Sequence, residues 1–324
     1  MDTRFFFGEC IMKTYGLPYK GSKDKLAEKI CSLFPIKENF YDLFMGGGSI
    51  THYQLLQNQY KNYYANDFNP LVVKAFNMAI HGKFKNETRW ISHEEFDKLK
   101  NTDPYVAFCF SFGNDLKSYA YGKDVEPYKK ALHYAIVFQD YKLLNEIFKD
   151  VDFTFLDKID NVDKRRLILH NILDKYIKSD SSLNRLQTNE RLQSLLQLES
   201  LQRLESVKRL ESVKLKRLEI FSASYDEIEI KPNSVVYCDI PYSQTNKYEI
   251  SKDFDYEKFY SWCEKQTELC FISEYSMPKD RFTCIAEIEH RSIICANENQ
   301  SVIERVFLPN HQVKDYKIPS LFDF

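Results

Sequence analysis

No stretch of this chain reaches the roughly eighteen consecutive apolar residues that a membrane-crossing helix requires, so no membrane span is expected. Nor does its start offer a secretory leader: Met1 to Phe7 holds one Arg and a Phe triplet, without an apolar run or a cleavage site. Met12-Lys13-Thr14 reads as a natural start, with residues 1–11 as an upstream extension. C-x-x-C pairs are missing too. The eight Cys, at 10, 31, 109, 238, 263, 270, 284 and 295, are spaced for neither a zinc site nor a disulfide scaffold. Most of them read as small core residues in a reducing cytosol, and no metal is expected. A net charge of −2 excludes a uniformly basic nucleic-acid binder. What remains is a local imbalance: Lys164 to Glu219 carries thirteen Lys or Arg against seven Asp or Glu, so the rest of the chain carries −8. A basic module on an acidic body suits DNA binding by one part of the chain; a solvated helical face is the plainer reading.

What is abundant is aromatic, 25 Phe and 22 Tyr, of which exposed members would suit stacking on bases. The 324 residues fit one large domain or two moderate ones. Residues 24–34 have helical spacing, with Leu26, Ile30 and Leu33 on one face. Phe40 to Phe44 reads as a short buried strand stopped by Gly46-Gly47-Gly48, and residues 49–59 as a helix. Tyr63 to Asp67 is a second strand ending at an acid, and Pro70 to Ile80 another helix. Strand, Gly loop, helix, strand, acid is the opening of a doubly wound α/β sheet. Its second half is expected near the C-terminus, with strands at Ser234 to Cys238, Leu269 to Ser273, Ile285 to Glu289 and Val302 to Leu308.

Between the halves lies a long insertion, residues 85–220, helix-rich over Tyr128 to Ile172. Within residues 183–219 RLESVK occurs twice in tandem, and Leu192, Leu195, Leu198, Leu201, Leu204, Val207, Leu210 and Val213 fall at every third position. A period of three precesses around an α-helix instead of keeping one face. The composition, free of Gly and Pro, favours helix; a compact repeat and a low-complexity surface stretch stay open beside it. The domain boundaries expected are 12–84 with 221–312 for a discontinuous catalytic domain, 85–220 for the insertion, and flexible ends at 1–11 and 313–324.

Three segments carry chemistry. Asp42 to Ser49 follows a strand and opens a helix, so its glycines let backbone approach a ligand, although it lacks the G-x-G-x-x-G spacing of dinucleotide binders. Asp67, at the end of the next strand, is placed to accept hydrogen bonds from ribose hydroxyls, with a helix N-cap as the alternative. Asp239-Ile240-Pro241-Tyr242 is the sharpest. The exocyclic amine of a nucleobase is a poor nucleophile because its lone pair is delocalised into the ring. A carboxylate and a backbone carbonyl that accept both amine hydrogens favour a pyramidal nitrogen as positive charge develops, and an aromatic ring fixes the plane of an extruded base. Asp239, the Ile240 carbonyl and Tyr242 have those roles to offer, with Pro241 stiffening the loop.

In this order the pieces resemble the Dam-like DNA adenine methyltransferases. Tyr19-Lys20-Gly21-Ser22-Lys23 is similar to the family's first motif, Asp42 to Ser49 to its Gly-rich motif, Asn66-Asp67-Phe68-Asn69 to its N/A-D-x-N motif, and Asp239 to Tyr242 to its DPPY motif, with Ile240 where Pro is usual. The resemblance implies a Rossmann-like class I methyltransferase sheet with a helix-rich target-recognition insertion. It also implies S-adenosyl-L-methionine as cofactor, seated by Tyr19, Lys23, Asp42, Phe44, Gly46, Gly48 and Asp67, and double-stranded DNA as substrate. Phe112-Gly113-Asn114-Asp115, with Lys117 and Tyr119 following, looks like the family's DNA-facing loop, which implies DNA contacts by Asn114, Lys117 and Tyr119. Phe221 to Tyr225 sits where the family places a contact to the cofactor adenine, with Ser224 in place of an acid. The tail Ile318 to Phe324 resembles sliding-clamp-binding peptides without their Gln. Among rivals, RNA or protein methyltransferases of this fold more often carry Asn at the first catalytic position, a nicotinamide oxidoreductase needs another loop spacing, and a non-catalytic DNA-binding relative is favoured only if Ile240 distorts the loop.

Overall fold

The computed structural model describes residues 15–149, 151–179, 198–212, 217–242, 254–291 and 301–317. The chain divides into two compact units, Met1–His81 with Leu210–Phe324, and Gly82–Arg209. The first unit is built on one seven-stranded sheet of order β3-β2-β1-β4-β5-β7-β6. Its strands are β1 (Asn39–Asp42), β2 (Asn62–Asn66), β3 (Leu218–Phe221), β4 (Ser234–Asp239), β5 (Leu269–Glu274), β6 (Phe282–Arg291) and β7 (Ser301–Pro309). β1 to β5 pair in parallel, whereas β7 runs antiparallel to both β5 and β6.

Both faces of the central strands are covered, so they read as continuous apolar runs without alternation. One face packs Phe40, Tyr63, Val235, Tyr237 and Phe271 with Ile30 and Phe34. The other packs Tyr41, Tyr64, Val236, Cys238 and Ile272 with Phe259 and Cys263 of the helix Tyr256–Cys263. Cys31, Cys109, Cys238, Cys263 and Cys270 are buried free thiols, in keeping with their reading as core residues.

Local sequence explains the helices. Helix α3 (Pro70–Ile80) starts with Pro at its first position, where the missing N–H costs nothing. Asn69 caps it by accepting from the Leu71 amide at 3.0 Å. Val72, Ala75, Phe76, Ala79 and Ile80 then form its buried stripe. The helix expected over residues 24–34 is shorter: α1 spans Ala27–Cys31 only. Tighter bonds flank it, from the Leu26 amide to the Lys23 carbonyl and from Phe34 to Cys31, and Pro35 ends the run.

The second unit is helical: α4 (His93–Leu99), α5 (Pro104–Phe110), α6 (Glu126–His133), α7 (Lys142–Ile147), α8 (Val162–Ser179) and α9 (Glu199–Arg209). Part of the period-three segment is thus a helix. Two steps of −60° keep Leu201, Leu204 and Val207 within one face, and all three are buried, as are Leu198 and Leu210 at its edges. Leu192, Leu195 and Val213 lie outside the described residues. The expected end of the insertion at residue 220 is corrected: the helical unit closes at Arg209, and Leu218–Phe221 is a strand of the sheet beside β2. The repetitive Leu-Glu-Lys composition hid that strand, which only its pairing with Tyr63–Asn66 defines.

Candidate active site

Strand order reverses between β1 and β4, because β1 leads to β2 and β3 on one side and β4 to β5 on the other. In an open α/β sheet, ligands bind beyond the carboxyl ends of the strands at such a switch point. Asp42 ends β1, Asp67 follows β2 and Asp239 ends β4, so three acids gather at that edge.

The Gly loop turns from β1 into helix α2 (Ser49–Gln57) through Gly48, whose φ of +72° is left-handed. A Cβ there would meet the Phe76 ring at 2.3 Å, so geometry and space both demand glycine. Asp67 clamps the loop: one carboxylate oxygen accepts from the Gly46 amide at 2.9 Å and the other from the Asn69 amide at 2.8 Å. The N-cap alternative for this acid therefore belongs to Asn69. Tyr19 lies close enough that Asp67's charge adds to burial in pushing its hydroxyl pKa up. Phe44 stacks on Tyr225 at 5.4 Å between ring centroids and contacts Phe254 and Phe259 edge-on. Asp42 is almost fully buried. One oxygen accepts from the Thr51 hydroxyl at 2.7 Å and the other has no partner among the described residues. Burial pushes its pKa up to about 7, the Thr51 bond opposing and the charges of Asp239 and Asp67 adding.

Lys23, brought in by its amide's bond to the Ser49 hydroxyl at 3.1 Å, is buried with its ammonium 2.9 Å from Asp239 and 3.9 Å from Glu304. Burial works against that charge, but the two acids outweigh it and hold the pKa above the usual lysine value. The Tyr242 hydroxyl lies 3.3 Å from the same Asp239 oxygen and donates to Glu304 at 2.6 Å. Its ring sits 4.7 Å from the Lys23 ammonium and 4.4 Å from the Tyr275 ring. Asp239's pKa is pushed up to about 6, by burial first, with Lys23 opposing and Glu304 adding. Ile240, 2% exposed, seats its side chain in the apolar cluster with Cys238, Phe259 and Met277, and Tyr256 donates to the Pro241 carbonyl at 2.8 Å. Ile240 thus packs the loop onto the core.

A model of the D12 class N6 adenine-specific DNA methyltransferase family matches residues 19–272. The chain belongs to this family. No curated protein matches it in a search of whole sequences. The enzyme is accordingly an N6 adenine-specific DNA methyltransferase on an α/β Rossmann-like sheet. Among the described residues no helix of the methyltransferase is long and apolar enough to cross a membrane, and no cluster of His, Cys, Asp or Glu is arranged to hold a metal.

Within the methyltransferase's helical unit, residues 111–119 form a tight loop: Phe112's amide donates to the Ser118 carbonyl, and Asp115 accepts from the amides of Lys117 and Ser118. Gly113, Asn114 and Leu116 all have positive φ. Arg203 of α9 holds the loop from below through the carbonyls of Cys109 and Ser111. Phe112 is 66% exposed, Lys117 is exposed and Asn114 is half-buried. Tyr119 is a correction. Buried against His93, Phe96 and Tyr121, it donates its hydroxyl to the Ile91 carbonyl at 2.6 Å, so its place here is in the packing of the unit and not on its exposed surface. Its place after an exposed turn hides this in the sequence. Two site residues escape sequence reasoning altogether. Glu304, 2% exposed, joins the Lys23–Asp239–Tyr242 cluster from β7, and Tyr256 ties down the Pro241 carbonyl. Only the sheet pairing of β7 beside β5 brings Glu304 there, and an acid at an apolar strand position was its one visible signal. The clamp-like tail, residues 318–324, lies outside the described residues.

Proposed function

We propose that this enzyme transfers a methyl group from S-adenosylmethionine to the 6-amino group of an adenine flipped out of duplex DNA, with Asp239, Ile240, Pro241 and Tyr242 as the reacting loop. The observation that carries it is the convergence of Asp42, Asp67 and Asp239 on the strand-order switch point of a D12-class chain. Carboxylates outnumber Lys23 there, and Asp42 keeps a buried oxygen without a partner among the described residues; a negative site of this kind fits a cofactor carrying sulfonium and ammonium charges. Asp42, Asp67 and the Gly46–Gly48 loop would hold it, with Tyr19, Lys23 and Phe44 beside them. When bound, the cofactor supplies an electrophilic methyl group.

The remaining work belongs to the chain. The Asp239 carboxylate and the Ile240 carbonyl accept the two amine hydrogens, which localises the nitrogen lone pair as charge develops. Tyr242 offers its ring to the base plane, and the core-seated Ile240 together with Tyr256's bond to the Pro241 carbonyl keep the loop from drifting. Asn114, Lys117 and the exposed Phe112 ring are the DNA-facing side chains of the helical unit, which supplies target recognition. Purified Asp239→Ala, assayed for methyl transfer to adenine-containing duplex DNA, is expected to be inactive while still binding S-adenosylmethionine. Normal methylation by that variant refutes the mechanism. Sequencing that detects methyladenine in DNA from cells expressing the wild-type chain reads the target site.

A further inference from the structure

We infer that Glu304 is a positioning residue of the methyl-transfer site, one that holds Tyr242 by its hydroxyl and stands with Lys23 and Asp239 in one buried cluster. This rests on the reading of Asp239 as the amine acceptor. The geometry is a closed four-membered cluster: the Lys23 ammonium stands 2.9 Å from Asp239 and 3.9 Å from Glu304, and the Tyr242 hydroxyl 3.3 Å from Asp239 and 2.6 Å from Glu304. Glu304 is 2% exposed, in a strand where Val306, Phe307 and Leu308 are buried apolar residues. A buried carboxylate in such company is costly unless it is bonded and charge-paired. It is both, and both partners belong to the site.

Two consequences follow from that placement. The Glu304–Tyr242 bond, the shorter of the two that the hydroxyl makes in the cluster, holds the tyrosine ring at the loop's end. Glu304's charge also raises the proton affinity of Asp239, against which Lys23 and the Tyr242 hydroxyl act. Among the described residues the other ionisable groups around Asp239 are Asp42 on β1, Tyr237 on β4 itself and Tyr275 after β5, so Lys23 is the one cation of the cluster there.

The test is the pH profile of kcat/KM, measured on full-length protein with duplex DNA. Glu304→Gln keeps an oxygen for the tyrosine hydroxyl and removes only the charge. Its acidic limb is expected to move down by roughly one to two pH units, the size of a neighbouring-charge effect at this range. Tyr242→Phe keeps the ring and removes the hydroxyl that bonds Glu304, leaving that carboxylate's charge less offset beside Asp239, so its limb moves up, and its KM for DNA rises more than its kcat falls. Opposite movement of the two limbs is the signature, because a merely structural glutamate gives a lower rate at every pH with the limb in place. An unmoved limb in Glu304→Gln overturns the inference; if that variant does not fold, an unmoved or lowered limb in Tyr242→Phe does so. Activity retained in Asp239→Ala would instead bring down the underlying mechanism, so the two failures are separable.

Discussion

Replacing Gly48 by Ala tests whether the Gly loop is as rigidly specified as its geometry requires. The backbone at φ +72° places any L side chain in the left-handed region, which costs about 1–2 kcal/mol. The added methyl would lie 2.3 Å from the Phe76 ring. Phe76 is fully buried in α3, so overpacking adds about 1–3 kcal/mol. Together the change is expected to cost about 2–5 kcal/mol, a large share of the net stability of an ordinary domain. Urea denaturation followed by circular dichroism reads this as a lower midpoint at unchanged slope. The two contributions separate in a double-mutant cycle with Phe76→Leu. Shrinking the ring relieves the clash but not the backbone strain, so the paired losses fall short of their sum. If Gly48→Ala lies within about 0.5 kcal/mol of wild type, or the cycle is strictly additive, the reasoning about this loop is wrong.

Asp67→Asn leaves one side-chain acceptor where two backbone amides, those of Gly46 and Asn69, now bond to the carboxylate; a loss of about 1–3 kcal/mol in the same assay is expected, and no loss refutes the clamp. Asp42 has its folded pKa raised to about 7 against an ordinary 3.8, so the folded state binds the extra proton and this group makes stability fall as pH rises from about 4 to 7. Asp42→Asn should flatten the measured stability over that window, and an unchanged slope counts against the burial argument. Tyr119→Phe strands the buried Ile91 carbonyl and is expected to cost about 1 kcal/mol, while leaving the salt dependence of DNA binding as it was. Weakened DNA binding at unchanged stability would restore the DNA-facing role for that side chain.

Much of the catalytic architecture is written locally. Pro70 after Asn69 sets the start of α3, the glycines after β1 set a loop, and Asp239 to Tyr242 stands out from an ordinary strand-end turn by its place downstream of Tyr19–Lys23, the Gly loop and Asp67. Such signals act through neighbours in the chain, by fixing φ, removing a donor or offering a cap, and they survive without knowledge of the fold. They also fixed the class, since strand, Gly loop, helix, strand and acid in that order leave little choice of sheet. What the sequence could not decide depends on partners far along the chain. Leu218–Phe221 is a strand because β2 presents Tyr63 to Asn66 beside it, and its own repetitive surroundings argue for helix. Tyr119 turned from an expected DNA contact into core because Ile91, His93 and Phe96 close over it. Glu304 entered the site because β7 folds back beside β5, some sixty residues after the loop it steadies. Hydrogen bonds and charges act over a few ångströms, so only the tertiary structure could place that last acid beside Asp239 and Tyr242.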